Sequence, residues 1–358
     1  MSGIYSILGL QDGDDTFINT IGQNRVFDAA KTYLTMVDQE MMKAYQVFIQ
    51  METEEYKERY KLPGGGYMQE RGTKAANAAQ QAYGGWDVEY PLHDLEEPVA
   101  EDDTDVAYMT VQDVQLALDS IRIRAINRLR RDILRRFYNN TNFTFVDKRK
   151  GTLTIRPLAN NDGTLYPPVV GADAEAQDDH YLESGYAASA ISDTNNPIRT
   201  LRRELEEHFG TPQGFGNIAV FFNNAQITLV QGLTDFDAVD DSHKMFGANR
   251  DRVTGAFPNV PGRIVGRCDG AWVVEWDWTP AGYCKAVDLD QPAPMKVRRD
   301  PAATGIPRGL HLSGESDKHP LFARHYRNRY GVGTANRLNG VVMEFGTGGS
   351  YTIPAAYA

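Results

Sequence analysis

The sequence contains few cysteines and no long apolar segment. Among its 358 residues there are two cysteines, Cys268 and Cys284, which are too few for a disulfide framework or, by themselves, a four-ligand zinc site. No apolar run approaches the ~20 residues that cross a bilayer. The apolar patch at residues 4–10 has no basic residue before it and is followed by acidic residues, which excludes a secretory signal. These absences predict a soluble, intracellular protein without membrane contact.

The sequence also lacks the short motifs of common catalytic and nucleotide-binding sites. It contains no HExxH motif and no GxSxG elbow, and its glycine pairs at residues 331–333 and 346–349 lack GxGxxG spacing or a P-loop lysine. We interpret these glycines as turns. Asp178, Asp179 and His180 are candidate metal ligands, but no second ligand cluster accompanies them, so they predict a polar loop. We therefore expect no cofactor and no metal.

Charge is distributed unevenly along the chain. The 37 basic and 48 acidic residues give a formal net charge of −11. Residues 1–105 contain 8 basic and 20 acidic residues, a net charge of −12, whereas residues 106–358 contain 29 and 28, a net charge of +1. A dedicated nucleic-acid-binding protein would present a basic face, which this distribution argues against. It does allow acid–base contacts between copies of the chain.

Two segments have the periodicity of amphipathic helices. Residues 24–50, preceded by a polar arm, carry one apolar stripe, with Asn24 as the expected N-cap. Residues 110–139 begin with a variant capping box of Thr110 and Asp113 and predict a helix of about 28 residues. Seven arginines lie in its second half: Arg122, Arg124, Arg128, Arg130, Arg131, Arg135 and Arg136. Because no wider basic region accompanies these arginines, we favour contact with another protein, or a solvated face, over phosphate binding as their role.

Residues 51–105 alternate like β-strands but are largely polar on both faces. The outgoing leg reads ETEEYKERYKL, the return leg reads WDVEYPL, and a segment rich in Gly, Ala and Gln separates them. Pro91 and Pro98 confine the return leg to a sheet edge. We expect that a hairpin with so little core-facing material cannot be stabilised by its own chain. It is therefore either a disordered insertion or an arm that folds against a neighbouring subunit.

The remaining sequence mixes short helices with short strands. FTFVD and TLTIRP predict one hairpin, and Asn196 with Pro197 opens a helix that runs to about Gly210. RIVGRC and AWVVEWDW flank Asp269 and Gly270, which predicts a second hairpin with a type I′ turn. This combination of elements indicates an α+β fold.

The AWVVEWDW segment is the strongest candidate for an enzymatic site. On a strand, Glu275 and Asp277 would share one face while Trp272, Trp276 and Trp278 share the other. Paired carboxylates near tryptophans suggest glycoside hydrolysis, but here the aromatic side chains lie opposite the acids. A half-buried strand with a solvated acidic face explains the same pattern and is the favoured interpretation.

The order of these parts resembles the major capsid protein of tailed double-stranded-DNA bacteriophages. The most specific likeness lies in GRIVGRCDGAWVVEWDWTPAGY and PRGLHLSGESDKHPLFARHYRNRYGVGTANRLNGVVMEFG. The resemblance covers essentially the whole chain and implies the α+β tailed-phage capsid fold. Its implied parts are an amino-terminal arm and helix at 1–50, an extended loop at 51–106, a peripheral domain with a long spine helix at 107–185, an inserted axial domain at 186–311, and a return into the peripheral domain at 312–358.

The resemblance implies a structural function without catalysis. Copies of the chain would form hexamers and pentamers that close into an icosahedral shell around double-stranded DNA, held without sequence-specific binding. Further implied partners are scaffolding, portal and decoration proteins, with assembly in the host cytoplasm and a final location in the virion. Contacts between subunits are expected at Tyr56, Lys57, Arg59, Tyr60, Lys61, Trp86, Tyr90, Arg128, Arg131 and Arg135.

Three further expectations accompany this resemblance. Few residues precede the first long helix, so a scaffolding segment has either been removed or belongs to a separate protein. An encapsulin-like compartment that packages protein cargo has a similar fold and is one alternative. A carbohydrate-active enzyme using Glu275 and Asp277 is the alternative from a different functional class.

Overall fold

The structure is a computed structural model of the chain, and it describes residues 3–11, 16–63, 83–102, 107–208, 217–238, 260–316 and 321–358. Within these ranges no helix is long and apolar enough to cross a membrane. The α-helices are α1 (Ile4–Leu8), α2 (Ile18–Ile21), α3 (Gln23–Ala44), α4 (Val111–Tyr138), α5 (Pro197–Glu206) and α6 (Asn224–Gln231).

The β-strands form two large sheets and two separate hairpins. They are β1 (Ile49–Thr53), β2 (Lys57–Pro63), β3 (Tyr83–Glu89), β4 (His93–Asp102), β5 (Phe143–Asp147), β6 (Gly151–Ile155), β7 (Tyr181–Glu183), β8 (Ile218–Phe222), β9 (Phe236–Ala238), β10 (Arg263–Cys268), β11 (Ala271–Glu275), β12 (Tyr283–Asp288), β13 (Met295–Arg298), β14 (His311–Ser316), β15 (Leu321–Thr334) and β16 (Val341–Glu344). One sheet has the order β1-β13-β15-β14, with β4 also paired to β15, and the other has the order β7-β16-β12-β8-β11-β10-β9. The hairpins are β2–β3 and β5–β6.

The seven-stranded sheet is buried on both faces between two groups of helices. On β8, Ala219 and Phe221 face a core that contains the buried sides of α3 and α4. Ile218, Val220 and Phe222 face the opposite core, which contains the buried sides of α5 and α6. This period-two division explains why the strand is continuously apolar in sequence. The mixed helix and sheet content confirms the predicted α+β class.

The long helix α4 begins and ends as the sequence predicts. The Thr110 hydroxyl accepts a hydrogen bond from the backbone N–H of Asp113, and the Asp113 carboxylate accepts one from the Thr110 N–H, so the capping box is complete. The helix α3 begins two residues before its predicted start, since its N-cap is Gly22 and the predicted N-cap was Asn24. The helix also ends at Ala44, after which the chain turns and enters β1.

The segment before α3 contains a short helix whose apolar side chains are buried, although a polar arm was predicted there. Ile4, Tyr5 and Leu8 of α1 are buried in the core that α3 and α4 share. The backbone N–H of Ile4 donates a 2.6 Å hydrogen bond to the Gln115 side chain on α4. The prediction of a polar arm is therefore wrong for these residues, because the apolar patch noted at residues 4–10 forms α1 and packs against its own chain.

The β10–β11 hairpin is confirmed, but its second strand is shorter than predicted. Asp269 and Gly270 have φ values of 48° and 81°, as a type I′ turn requires. The strand β11 ends at Glu275, and the Thr279 N–H donates to the Trp276 carbonyl in a following turn. All residues of β11 before Glu275 are buried, so the expected half-buried strand with a solvated face is wrong.

Gly331 and Gly333 lie within β15 rather than in a turn. A Cβ atom at Gly331 would overlap the Pro91 carbonyl oxygen, and one at Gly333 would lie 2.6 Å from Cδ1 of Tyr90. The absence of side chains at both positions therefore lets residues 90–92 cross close to the strand. The interpretation of these two glycines as turn residues is wrong, because their role is close backbone approach.

Candidate functional site

The β2–β3 hairpin, which the sequence assigns to an extended loop, packs against its own chain. Its buried side chains form a small core with residues from two distant loops: Tyr60, Leu62, Trp86, Val88, Tyr90, Ala159, Tyr166, Ala335 and Leu338. The Trp86 indole N–H donates a 3.0 Å hydrogen bond to the Ala335 carbonyl. For the described strands, the expectation that this chain cannot stabilise the hairpin is wrong, because large aromatic side chains such as Tyr60 and Trp86 are buried against other parts of the chain.

Buried polar contacts add to this packing at the base of the hairpin. Nζ of Lys296 lies 2.6 Å from Oε1 of Glu58, and the Tyr90 hydroxyl donates to the same carboxylate oxygen. Burial and then the hydrogen bond to Glu58 raise the pKa of Tyr90, so its hydroxyl stays protonated and acts as a donor. The Arg298 guanidinium donates 2.8 Å to the Tyr90 carbonyl and pairs with Asp147 at 2.9 Å.

The hairpin therefore divides the predicted contact residues into two groups. Tyr60, Trp86 and Tyr90 are at most 8% exposed, because residues of their own chain cover their side chains. Their contact with a neighbouring subunit stays a prediction, which this burial does not favour. Lys57, Arg59 and Lys61 project from the opposite side, and Tyr56 is half-buried beside Lys150, whose Nζ lies 4.8 Å from its ring centroid.

We call Lys57, Arg59, Lys61 and Asp87 the outer hairpin face. On this side of the hairpin, basic side chains of β2 lie opposite acidic side chains of β3. Lys57 lies 3.0 Å from Glu89, and Arg59 lies 3.3 Å from Asp87, each pair joining directly opposite residues. Exposed pairs of this kind contribute at most ~1 kcal/mol to stability. The outer hairpin face is thus a polar surface with little role in holding the hairpin itself.

The exposed side of α4 presents a second polar surface, the arginine face, defined by Arg124, Arg128, Arg131 and Arg135. Arg124 pairs with Glu97, and Arg128 pairs with Asp132 at 3.0 Å. Within the described residues, Arg131 and Arg135 have no carboxylate partner. Two exposed aliphatic residues, Leu116 at 60% and Ile123 at 58%, also project from α4.

Two other arginines of α4, Arg130 and Arg136, are held by aromatic or polar groups of their own chain. The Arg130 guanidinium lies 4.2 Å from the Trp278 ring centroid, and its Nε donates to the Tyr45 hydroxyl. The Arg136 guanidinium lies 3.9 Å from the Phe143 ring centroid, and burial lowers the pKa of Arg136 to about 10. These contacts leave the unpaired guanidinium groups of Arg131 and Arg135 as the most available for an external acceptor.

Glu275 and Asp277 do not form a paired acidic site. Glu275 ends β11 and lies 3.9 Å from Arg263, whereas Asp277 is exposed in the turn that follows. Trp276 between them is buried and stacks on Phe48 with ring centroids 5.7 Å apart. The two carboxylates therefore belong to different environments, and this arrangement does not support the hydrolase alternative.

A buried acid–histidine cluster lies where the sequence predicts a polar loop. Oδ2 of Asp178 is 2.7 Å from Nε2 of His180 and 2.9 Å from Nε2 of His208. Asp179 does not join them, because its carboxylate accepts from the Tyr181 N–H. The polar-loop prediction is wrong for His180, which is fully buried. His208 was missed because it follows α5 and meets the other two only through the tertiary fold.

Comparison with known proteins gives matches in structure rather than in sequence. No protein-family model and no curated protein sequence matches the chain. A solved structure from Mycobacterium phage Patience aligns with a TM-score of 0.68 at 17% identity, covering 96% of this chain and 94% of that chain. A chain in the asymmetric unit of the bacteriophage PhiM1 mature capsid aligns with a TM-score of 0.50 at 9% identity, covering 84% and 86%.

These similarities extend over nearly the full length of both chains. At such low identity they show a shared fold, and they confirm the predicted tailed-phage capsid fold. The predicted resemblance to phage capsid proteins is thereby confirmed at the level of structure.

Proposed function

We propose that this chain is a major capsid protein whose copies assemble as hexamers and pentamers into an icosahedral shell around double-stranded DNA. The observation that supports this most strongly is the structural similarity to the phage Patience chain, which covers 96% of this chain. A second structure with the same fold comes from a mature phage capsid. In this proposal the chain has no catalytic function.

The parts of the chain then take the functions expected of a shell subunit. The extended loop comprises residues 51–106, of which 64–82 and 103–106 lie outside the described residues. Residues 1–50 form the amino-terminal arm and helix, residues 107–185 and 312–358 the peripheral domain with α4 as its spine, and residues 186–311 the axial domain. The strands β7 and β16 are hydrogen-bonded into one sheet with strands from the axial segment, which supports a single continuous subunit body.

Charge complementarity supports a specific contact between subunits. The arginine face contains two exposed guanidinium groups without a carboxylate partner among the described residues, while residues 1–105 have a net charge of −12. Arginine is well suited to such contacts because its planar donors bind carboxylates in bidentate fashion. The arginine face and the outer hairpin face therefore meet acidic and polar surfaces of neighbouring copies.

The surrounding assembly follows from the same proposal. The shell encloses DNA without sequence-specific contacts, and a net charge of −11 is compatible with weak binding of the packaged genome. Scaffolding, portal and decoration proteins are the further partners. The subunit assembles in the host cytoplasm and resides in the virion.

Charge reversal on the arginine face tests the proposed contact. We expect the double variant Arg131→Glu/Arg135→Glu to keep the circular dichroism and melting temperature of the wild-type subunit, because both side chains are exposed. We expect it to accumulate as free capsomers or monomers in sedimentation velocity, since like charges would face each other across the contact.

The double variant Arg131→Lys/Arg135→Lys is the matched control, because it keeps both positive charges and loses only the bidentate geometry. It should still form fast-sedimenting particles, with a lower yield than the wild type. If the glutamate variant forms closed particles as efficiently as the wild type, the arginine face is not a contact between subunits.

A further inference from the structure

Two histidines and three carboxylates converge between the end of α5 and the start of β7. Asp178 and His180 precede β7, whereas Glu204, Glu207 and His208 lie at the end of α5. The two imidazoles are buried, with side-chain exposures of 0% for His180 and 3% for His208. The ligand atoms of Asp178 and both histidines all lie within 4.8 Å of one another, as do those of the three carboxylates.

Backbone carbonyls determine the orientation of both imidazole rings. Nδ1 of His180 lies 2.8 Å from the Gly340 carbonyl, and Nδ1 of His208 lies 2.7 Å from the Pro167 carbonyl. A carbonyl oxygen only accepts, so each Nδ1 carries a proton and donates it. In the neutral imidazole, Nε2 is then a lone-pair donor. Histidines that bind metals are commonly held in this way.

Both Nε2 atoms face the same acceptor. They approach Oδ2 of Asp178 at 2.7 and 2.9 Å, although a carboxylate oxygen and an unprotonated imidazole nitrogen both present lone pairs. Two atoms that both present lone pairs repel each other at these distances unless a proton or a metal ion lies between them. Protons on these groups would satisfy the contacts, and so would one metal cation that joins the three atoms.

The nearby glutamates favour a cation from outside the chain. Within the described part of the chain, neither Glu204 nor Glu207 forms an ion pair with a lysine or arginine. Nε2 of His208 lies 3.7 Å from Oε1 of Glu207. A cation bound among these three carboxylates would lower the free-energy cost of burying them next to one another.

We propose that this cluster binds one divalent transition-metal ion of the zinc class. Nε2 of His180, Nε2 of His208 and a carboxylate oxygen of Asp178 are the ligands, and Glu204 or Glu207 completes the coordination. Two imidazoles with carboxylates form a donor set that zinc accepts readily, and no thiolate is needed.

The geometry fits this ion after a small movement. Ligand atoms around a tetrahedral zinc ion lie about 3.3 Å apart when the bonds are 2.0–2.1 Å long. The 2.7 and 2.9 Å separations are shorter, so the Asp178 carboxylate retreats by about half an ångström on binding. The side chains of Asp178 and Glu207 are 12% and 33% exposed, which provides a route for the ion to enter.

The ion would join α5 to the strands on the other side of the cluster. His180 is hydrogen-bonded to Gly340 just before β16, and the His180 carbonyl accepts from the Val342 N–H. Binding would therefore stabilise the subunit by linking three segments that are distant in sequence. This inference goes beyond the proposed function and does not depend on shell assembly.

Cobalt titration of the purified subunit, dialysed against EDTA and then against metal-free buffer, tests the site. We expect one Co²⁺ per chain, with visible d–d absorption that Zn²⁺ abolishes by displacement. We also expect the melting temperature to rise with Zn²⁺ and to stay constant with Mg²⁺, which prefers six oxygen ligands. Absence of stoichiometric cobalt binding would overturn the proposal and leave protons to satisfy the contacts around Asp178.

Two variants locate the bound ion. His208→Gln and Asp178→Asn should each weaken cobalt affinity by at least ~10–100-fold, because the first removes an imidazole ligand, the second removes the negative charge of a ligand, and even the loss of an outer-shell partner costs this much. Asp178→Asn retains the side-chain shape and decides the question if His208→Gln fails to fold. The control His311→Gln alters a histidine whose Nδ1 contacts only the Gly309 carbonyl in the described structure, and it should bind like the wild type. Unchanged affinity in both ligand variants would also overturn the proposal.

Discussion

At the scale of single residues, Lys285 is the least expected side chain in the core. It is fully buried on β12, and its Nζ lies 4.2 Å from the Trp276 ring centroid and within 5.5 Å of four other aromatic rings. No hydrogen-bond partner reaches this nitrogen among the described residues. Aromatic faces stabilise a cation by ~2 kcal/mol, but burying an ion costs several kcal/mol. Burial therefore lowers the pKa of Lys285 well below 10.5, which favours the neutral amine in the folded protein.

The variant Lys285→Met should be more stable than the wild type by about 1–3 kcal/mol, because it replaces a buried amine with an apolar side chain of similar length. The pH dependence should also change. In the wild type the unfolded chain binds this proton more tightly than the folded chain, because burial lowers the pKa of Lys285, so stability rises as pH increases toward 10.5. Urea denaturation of the dissociated subunit at about pH 7 and about pH 9 measures both effects.

The matched control is Lys296→Met on the neighbouring sheet. This lysine pairs with Glu58 at 2.6 Å, so its replacement leaves the carboxylate with the Tyr90 hydroxyl but without its cation, which should cost about 2 kcal/mol. Opposite signs for the two lysines are the expected result. A loss of stability in both would mean that Lys285 has a polar partner in the folded protein.

At the scale of elements, the β2–β3 hairpin depends on Trp86. This side chain is 1% exposed and lies 5.1 Å from the Tyr166 ring centroid. We expect Trp86→Ala to cost about 3–5 kcal/mol and to accelerate amide exchange in β2 and β3 more than in α4. Arg59→Ala on the outer hairpin face should cost less than ~1 kcal/mol. Equal effects of the two substitutions would contradict the assignment of the hairpin to its own core.

The same elements show what the sequence predicts and what it does not. The capping box of α4 and the Asp269–Gly270 turn were predictable, because each depends on residues within four positions of one another. The docking of Trp86 was not, because its hydrogen-bond partner Ala335 lies 249 positions away. His208 joins Asp178 for a similar reason, since α5 brings its end beside the chain before β7. Local signals therefore identified elements, and tertiary contacts decided which faces became buried.

At the scale of the whole molecule, we expect the assembly to depend on the segment between β2 and β3. The strands β2 and β3 remain paired up to the last described residue of β2. Pro63 lies opposite Tyr83, and residues 64–82 lie outside the described residues. This register allows residues 64–82 to be replaced by an Asn-Gly turn without altering the paired strands. We expect the shortened chain to fold with wild-type stability and to form no closed shells, as judged by sedimentation and electron microscopy.

A second variant, in which a Gly/Ser segment of the same length replaces residues 64–82, distinguishes the effect of their side chains from the effect of the segment's length. We expect this second variant also to form no closed shells, because it restores the reach of residues 64–82 but not their side chains. Closed shells from the shortened chain would show that this part of the extended loop does not contact neighbouring subunits.

Electron microscopy of the wild-type chain, purified alone and after co-expression with its neighbouring genes, shows whether its copies form a shell. We expect closed icosahedral shells, or hexamers and pentamers that close when a scaffolding partner is present. Double-stranded DNA inside native particles would distinguish a phage shell from a protein-filled compartment. A monomer or small oligomer under every condition would contradict the proposed function, whatever the similarity of the fold.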